Sequence, residues 1–185
     1  MSRRSPDLLD RTRSRLLIID MQERLVPVML EAATVTRRCQ MLIQGANILG
    51  IPVTGTEQYP RGLGPTVPEL RDLLGPCPDK RRFSCSESLP WISPEEVVEG
   101  RDQIVLAGIE THVCVLQTAF DLLAAGFRVY LAVDAVSSRS TVDRQVALDR
   151  MAAHGVTLTT VESILFEWCE TADAAEFKQI SQLVK

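Results

Sequence analysis

The chain has 185 residues, 45% apolar and 24% charged, with a formal net charge of -4 and a pI near 5.3. That is about one domain's worth of sequence, with enough apolar residues to bury its own core. It excludes an intrinsically disordered chain, a collagen-like repeat and a small cysteine-stapled scaffold. The mild acidity argues against a nucleic-acid partner, whose usual footprint is a basic face. No apolar run approaches the roughly 20 residues that span a bilayer, so no membrane partner is expected. The five cysteines, Cys39, Cys77, Cys85, Cys114 and Cys169, are odd in number and form no CxxC pair. They read as reduced thiols of a cytoplasmic protein. The histidines, His112 and His154, are too few for an imidazole-based zinc site, and neither a metal nor another cofactor is expected.

Residues 1–14 read as a flexible tail ahead of a single domain at 15–185. Arginine is frequent there, but Asp7 and Asp10 intervene and no apolar stretch precedes Leu16. A mitochondrial address is the alternative to a cytoplasmic tail. RLLIID at 15–20 is the opening strand. A helix follows from about Thr34 to Leu49, with Val35, Cys39, Leu42, Ile43, Ala46 and Leu49 on one stripe. One grammar then recurs: a helix, a glycine, and a short continuous apolar run. It is carried by Gly50 before IPVTG, Gly100 before RDQIVLAG, Gly126 before FRVYLAV and Gly155 before VTLTT. Glycine closes a helix cheaply, and unbroken apolar runs suit strands covered on both faces. Helices alternating with such strands imply a mostly parallel, Rossmann-like sheet in a three-layer α/β/α sandwich.

Between Pro60 and Pro94 the grammar breaks. Seven of the ten prolines fall there, with one short helix expected around VPELRDLL. An irregular crossover of this length reads as a functional loop. Ser93-Pro94-Glu95-Glu96 has the form of a helix start, as does Ser140 with Asp143. A closing helix is expected from about Ala172. No GxGxxG or P-loop occurs, so nucleotide binding has no support.

Ligands of open α/β sheets bind beyond the carboxyl ends of the strands. The polar residues there are Asp20 after LLII, Thr56 and Glu57 after IPVTG, the segment IETHVC after QIVLAG, and Asp134 after VYLAV. Cys114 falls in the first turn of a helix, where N–H groups and the dipole lower a thiol's pKa from roughly 8.5. Its alternative is a buried structural cysteine. Asp20 can act as a general base or as a local cap. Lys80 stands out because 17 of the 20 basic residues are arginine and the other two lysines, Lys178 and Lys185, close the chain. A compact ammonium inside the irregular loop suggests a place where guanidinium would not fit. The alternative is a solvated lysine. A Cys114–His112 dyad is disfavoured, because residues two apart on a helix do not face each other. His154 reads as a helix-end residue.

Asp20 after LLII, Lys80 in K-x-x-F-S, and G-I-E-T-H-V-C-V at 108–115 together resemble the isochorismatase-like cysteine hydrolase superfamily. The resemblance runs from about Arg15 to the C-terminus. TEQYPRGLGPTVPEL, ETHVCVLQTAFDLL and DAVSSRS are similar to the small isochorismatase-domain-containing proteins. The resemblance implies a catalytic triad of Asp20, Lys80 and Cys114. It also implies a non-proline cis peptide, placed at His112–Val113, turning the N–H groups of Val113 and Cys114 toward one oxyanion. Nicotinamidases of the superfamily hold a metal after the second strand. Thr56-Glu57-Gln58-Tyr59-Pro60 lacks those ligands, against a metal and against nicotinamide.

The implied activity is cleavage of a small amide-type C–N substrate through a thioester on Cys114. The alternatives are a catalytically silent binding or scaffold protein and a vinyl-ether hydrolase, for which Arg61, Arg81 and Arg82 supply charge. The substrate pocket is expected from Gln22, Tyr59, Phe83, Trp91 and His112. Relatives self-associate, so a homo-oligomer is expected.

Overall fold

The computed structural model describes residues 4–89, 91 and 100–185. Six parallel strands form one sheet in the order β3-β2-β1-β4-β5-β6. They are β1 (Ser14–Ile19), β2 (Val53–Gln58), β3 (Asp79–Lys80), β4 (Gln103–Ile109), β5 (Arg128–Ser137) and β6 (Thr157–Thr159). The helices are α1 (Ala32–Ile48), α2 (Pro60–Leu63), α3 (Pro68–Leu74), α4 (Leu116–Ala124), α5 (Thr141–Ala153), α6 (Val161–Cys169) and α7 (Phe177–Leu183). The fold is the three-layer α/β/α sandwich expected from the alternation.

Strand geometry explains the unbroken apolar runs. Successive side chains point to opposite faces. Leu16 and Ile18 pack with residues of α1, α3, α6 and α7, while Leu17 and Ile19 pack with α4 and α5. Helices cover both faces, so the run Leu16–Ile19 is apolar at every position until the strand ends at Asp20. The α1 stripe is buried as expected, and Gly50, Gly126 and Gly155 all take positive φ past their helices. Ser140 caps α5 by accepting the Asp143 N–H at 3.4 Å. The helix start at Ser93 lies outside the described residues.

Three expectations need correction. Residues 4–13 are docked, although this segment was expected to be a loose tail. Leu9 is fully buried, Gln103 pairs with Asp10 N–H and Leu8 C=O, and Arg13 pairs with Asp102 across the start of β4. The cause is one apolar side chain in a core cluster, which a charge-rich sequence conceals. The C-terminal region holds two helices where one was expected. α6 begins earlier, at a Thr160 cap bonded to the Ser163 N–H, and buries Ile164, Leu165 and Trp168. Asp134, a strand-end candidate, is structural: its Oδ1 accepts the Val161 N–H at the start of α6 and its Oδ2 pairs with Arg38 at 3.4 Å.

The sheet order reverses direction at β1 and β4, opening a crevice at their carboxyl ends. Gly108 allows these strands to close up beneath it. Its φ is +113°, and a Cβ there would lie 2.2 Å from the Ile19 carbonyl oxygen. Ile19 is backbone and cannot give way. Gly108→Ala is therefore expected to destabilise the protein by about 3 kcal/mol, combining positive-φ strain with overpacking. Urea midpoints measure this, and an unchanged midpoint would show that β1 and β4 are not held this close.

Candidate active site

Three elements deliver three side chains to the switch-point crevice. The turn after β1 places Asp20 with φ 52°, a left-handed conformation that few residues other than glycine, asparagine and aspartate adopt. β3 adds itself beside the end of β2, pairing Lys80 with Gln58. The chain leaving β4 winds through a wide helical turn at Thr111–Val115, in which Val115 N–H reaches back five residues to the Glu110 carbonyl, and then enters α4. Cys114 sits in that turn. Wide turns of this kind are frequent at functional sites.

Asp20 is fully buried. Its Oδ2 accepts from Lys80 Nζ at 2.7 Å and its Oδ1 accepts from Thr56 Oγ1 at 2.9 Å. Lys80 Nζ also donates to Gln58 Oε1 at 2.7 Å and to the Phe83 carbonyl at 2.8 Å. The ammonium is thus saturated, as a buried cation must be. An arginine could not replace it, because its planar fork cannot converge on acceptors in this compact arrangement. Thr56, noted at the end of β2, is drawn into the site as a partner of Asp20. Glu57 is not: it accepts from Thr66 N–H and Oγ1 and ties down the loop.

Cys114 is 6% exposed. Its thiol is pushed well above the ordinary 9.0, by burial first and then by the negative charge of Asp20, with Lys80 pulling the other way. This reverses the expected direction. Helix N-terminal N–H groups act on exposed thiols, but here desolvation and a facing carboxylate outweigh them. Lys80 is pulled down by burial, yet the attraction of Asp20 and the neighbouring thiols leaves it raised. At rest the sulfur is therefore held as a thiol and Lys80 as an ammonium.

The expected pocket residues fare unequally. Tyr59 and Phe83 are 41% and 52% exposed, and the Arg81 guanidinium stacks 4.0 Å from the Tyr59 ring centre. Gln22 is fully buried, and its amide is spent on backbone. Its Oε1 accepts the Gln58 N–H, while its Nε2 donates to the Gln58 and Gly64 carbonyls. It fixes the end of β2 and does not wall a pocket. Trp91 lies at the amino-terminal ends of the strands, away from the site, against Phe127 just before β5 and beneath Arg15 at the start of β1. His112 turns away toward α5, with Nδ1 3.0 Å from Ser138 Oγ, and lines a shallow cavity with Asp143 and Val146. His154, at the end of α5, places Nδ1 2.8 Å from the Arg150 carbonyl.

The cis peptide is at Ile109–Glu110 and not at His112–Val113. His112 and Val113 lie inside a helical turn, which requires trans peptides. The Val113 N–H is already engaged by the Glu110 carbonyl at 3.1 Å.

The raised pKa values predict a loss of stability in alkali. The fold holds these groups in their protonated forms more firmly than the unfolded chain does. The thiol contribution is fully present below pH 9.0 and disappears as pH rises, through about 11 for Cys85 and about 12 for Cys39. Burial is the leading cause for both. Lys80 adds a contribution held below pH 10.5 and lost above it. Denaturation midpoints taken on either side of pH 9.0 should fall, and Cys39→Ala should flatten the fall. A midpoint rising through that range would contradict the burial of these thiols.

Fold and site together define a doubly wound α/β protein with a buried carboxylate, ammonium and thiol at the topological switch point. The chain belongs to the isochorismatase family, whose domain model matches residues 14–163. It is 46% identical over 171 residues to isochorismatase domain-containing protein 1 of Salmo salar, covering 90% of this chain and 59% of that protein. It is 40% identical over 175 residues to isochorismatase domain-containing protein 2A of Mus musculus, covering 93% and 82%. The chain thus spans about three-fifths of the first of these relatives. Among solved structures it is similar to the MAR1 ribonuclease of Caenorhabditis elegans, with a TM-score of 0.88, 39% identity, and 96% and 92% of the two chains covered. Among the described residues, no helix is long and apolar enough to cross a membrane.

Proposed function

We propose that the protein is a cysteine hydrolase that cleaves a small amide-type C–N bond through a thioester on Cys114. One observation carries this reading: the fully buried Asp20 carboxylate acts on the Cys114 thiol while its other side is neutralised by Lys80. A buried thiol with a raised pKa is a poor nucleophile alone and needs a base in contact with it. Asp20 takes the thiol proton as sulfur attacks the carbonyl carbon. The oxyanion is held by the Cys114 N–H, with Val113 N–H shared between it and Glu110. Asp20 returns the proton to the departing amine, and a water activated by Asp20 then cleaves the thioester. Lys80 Nζ, 2.7 Å from Asp20 Oδ2, holds the aspartate in place between these steps. The 6% exposure of Cys114 favours a small substrate.

A substrate panel of small primary and secondary amides, vinyl-ether carboxylates and short RNA tests the reading. The RNA arm answers to the ribonuclease named among the similar structures. Amine release that disappears in Asp20→Asn supports the proposal. Cleavage of RNA or vinyl ether with every amide untouched overturns it.

A further inference from the structure

The mechanism leaves one buried thiol at the site without a task. Cys85 is fully buried on the same face of the sheet as Cys114, in the same apolar cluster, whereas Cys39 and Cys169 belong to the cluster on the opposite face. Two hydrogen-bond bridges tie Cys85 to the catalytic residues. Its Sγ lies 3.4 Å from Thr56 Oγ1, the hydroxyl that donates to Asp20. Its backbone N–H donates to Thr118 Oγ1 at 2.9 Å, and that same hydroxyl donates to the Cys114 carbonyl at 2.6 Å. One threonine side chain therefore spans the two cysteine backbones, and the charge of Asp20 acts on both thiols.

The geometry points to Cys85 and Cys114 as a reversible oxidation pair, in which a small hydroperoxide converts the two thiols into a disulfide that shuts the site. Exposure sets the order of events. Cys85 is sealed, while Cys114 has an opening, so the oxidant meets Cys114 first. Asp20 takes the Cys114 proton, as in hydrolysis, and sulfur attacks one peroxide oxygen. The O–O bond breaks, an alcohol or water leaves with the proton, and Cys114 becomes a sulfenic acid. The Cys85 sulfur then attacks the Cys114 sulfur. The S–S bond forms, the S–O bond breaks, and hydroxide leaves as water with the Cys85 proton. Two thiols have supplied two electrons to one peroxide. A dithiol reductant reverses the change by exchange at the more accessible Cys114 sulfur. The link removes the nucleophile but spares it the further, irreversible steps of sulfur oxidation.

The inference rests on Cys114 being the reactive thiol proposed above, but its readout needs no turnover. Wild-type protein is treated with hydrogen peroxide, its remaining thiols are blocked with N-ethylmaleimide, and unreduced peptides are mapped by mass spectrometry. A peptide joining Cys85 to Cys114 is expected, with both thiols regained after dithiothreitol. In Cys85→Ser the same dose should leave Cys114 over-oxidised, and its recovery should fall roughly tenfold. Wild-type Cys114 driven to sulfinic acid with no linked peptide overturns the pair, as does a link between other cysteines, and neither result depends on the variant folding. A linked peptide in a protein that hydrolyses no amide would sink the hydrolase reading and leave the pair standing.

Discussion

Cys114→Ala is expected to lose turnover by about four orders of magnitude or more while keeping the fold, because Cys114 is the thiol that hydrogen-bonds to Asp20, whereas Cys77 and Cys85 feel only its charge. Cys85 is the nearest substitute and is fully buried. The structural effect is small by comparison. Cys114 is one residue of a large apolar cluster, and truncating its thiol removes a group whose burial opposes ionisation. The melting temperature should move by only a few degrees. Cys114→Ser should be nearly as inactive, since a carboxylate cannot draw a proton from a buried hydroxyl as it can from a thiol. Steady-state amine release with circular-dichroism melts decides the matter. Turnover retained in the alanine variant would remove Cys114 from the mechanism.

Lys80→Met should be the most destabilising single change at the site. It leaves the Asp20 carboxylate buried with no cation beside it, held by Thr56 Oγ1 and the Cys114 thiol alone among the described residues. It also strips a donor from Gln58 Oε1 and the Phe83 carbonyl. Breaking a buried ion pair from one side costs about 3–5 kcal/mol. The pair itself contributes far less, because desolvation opposes the attraction. Asp20→Asn combined with Lys80→Met should therefore regain a large part of the loss. Urea denaturation of both variants and of Asp20→Asn alone closes the cycle. Single variants that simply add would mean the two charges are not coupled. Hydrolysis should be absent in all three.

Much of the fold was legible because its rules are local. Glycine-closed helices and unbroken apolar runs state a parallel sheet covered on both faces, and the α1 stripe gave its buried side residue by residue. The strand-end rule reached Asp20, Thr56 and Cys114 without knowledge of the family. Lys80 needed a further signal, its isolation among arginines and its place in K-x-x-F-S. What failed was long-range or competitive. Trp91 follows an irregular crossover, and no local rule says where such a segment ends, so its place at the amino edge was hidden. Gln22 sits beside Asp20, but its amide is consumed by the backbone of Gln58, a partner 36 residues away. The thiol pKa was expected to fall from helix position alone. Its direction depends on burial and on Asp20, a residue distant in sequence. Leu9 was hidden by the charges around it.

The measurement that tests the account most directly is acid-quenched mass spectrometry of the protein during turnover of an amide from the panel. The account predicts one acyl adduct on the Cys114 peptide. It should be released by hydroxylamine and absent from Cys114→Ala and Asp20→Asn. Amide hydrolysis that proceeds with no adduct on Cys114, and at the same rate in Cys114→Ala, would contradict it.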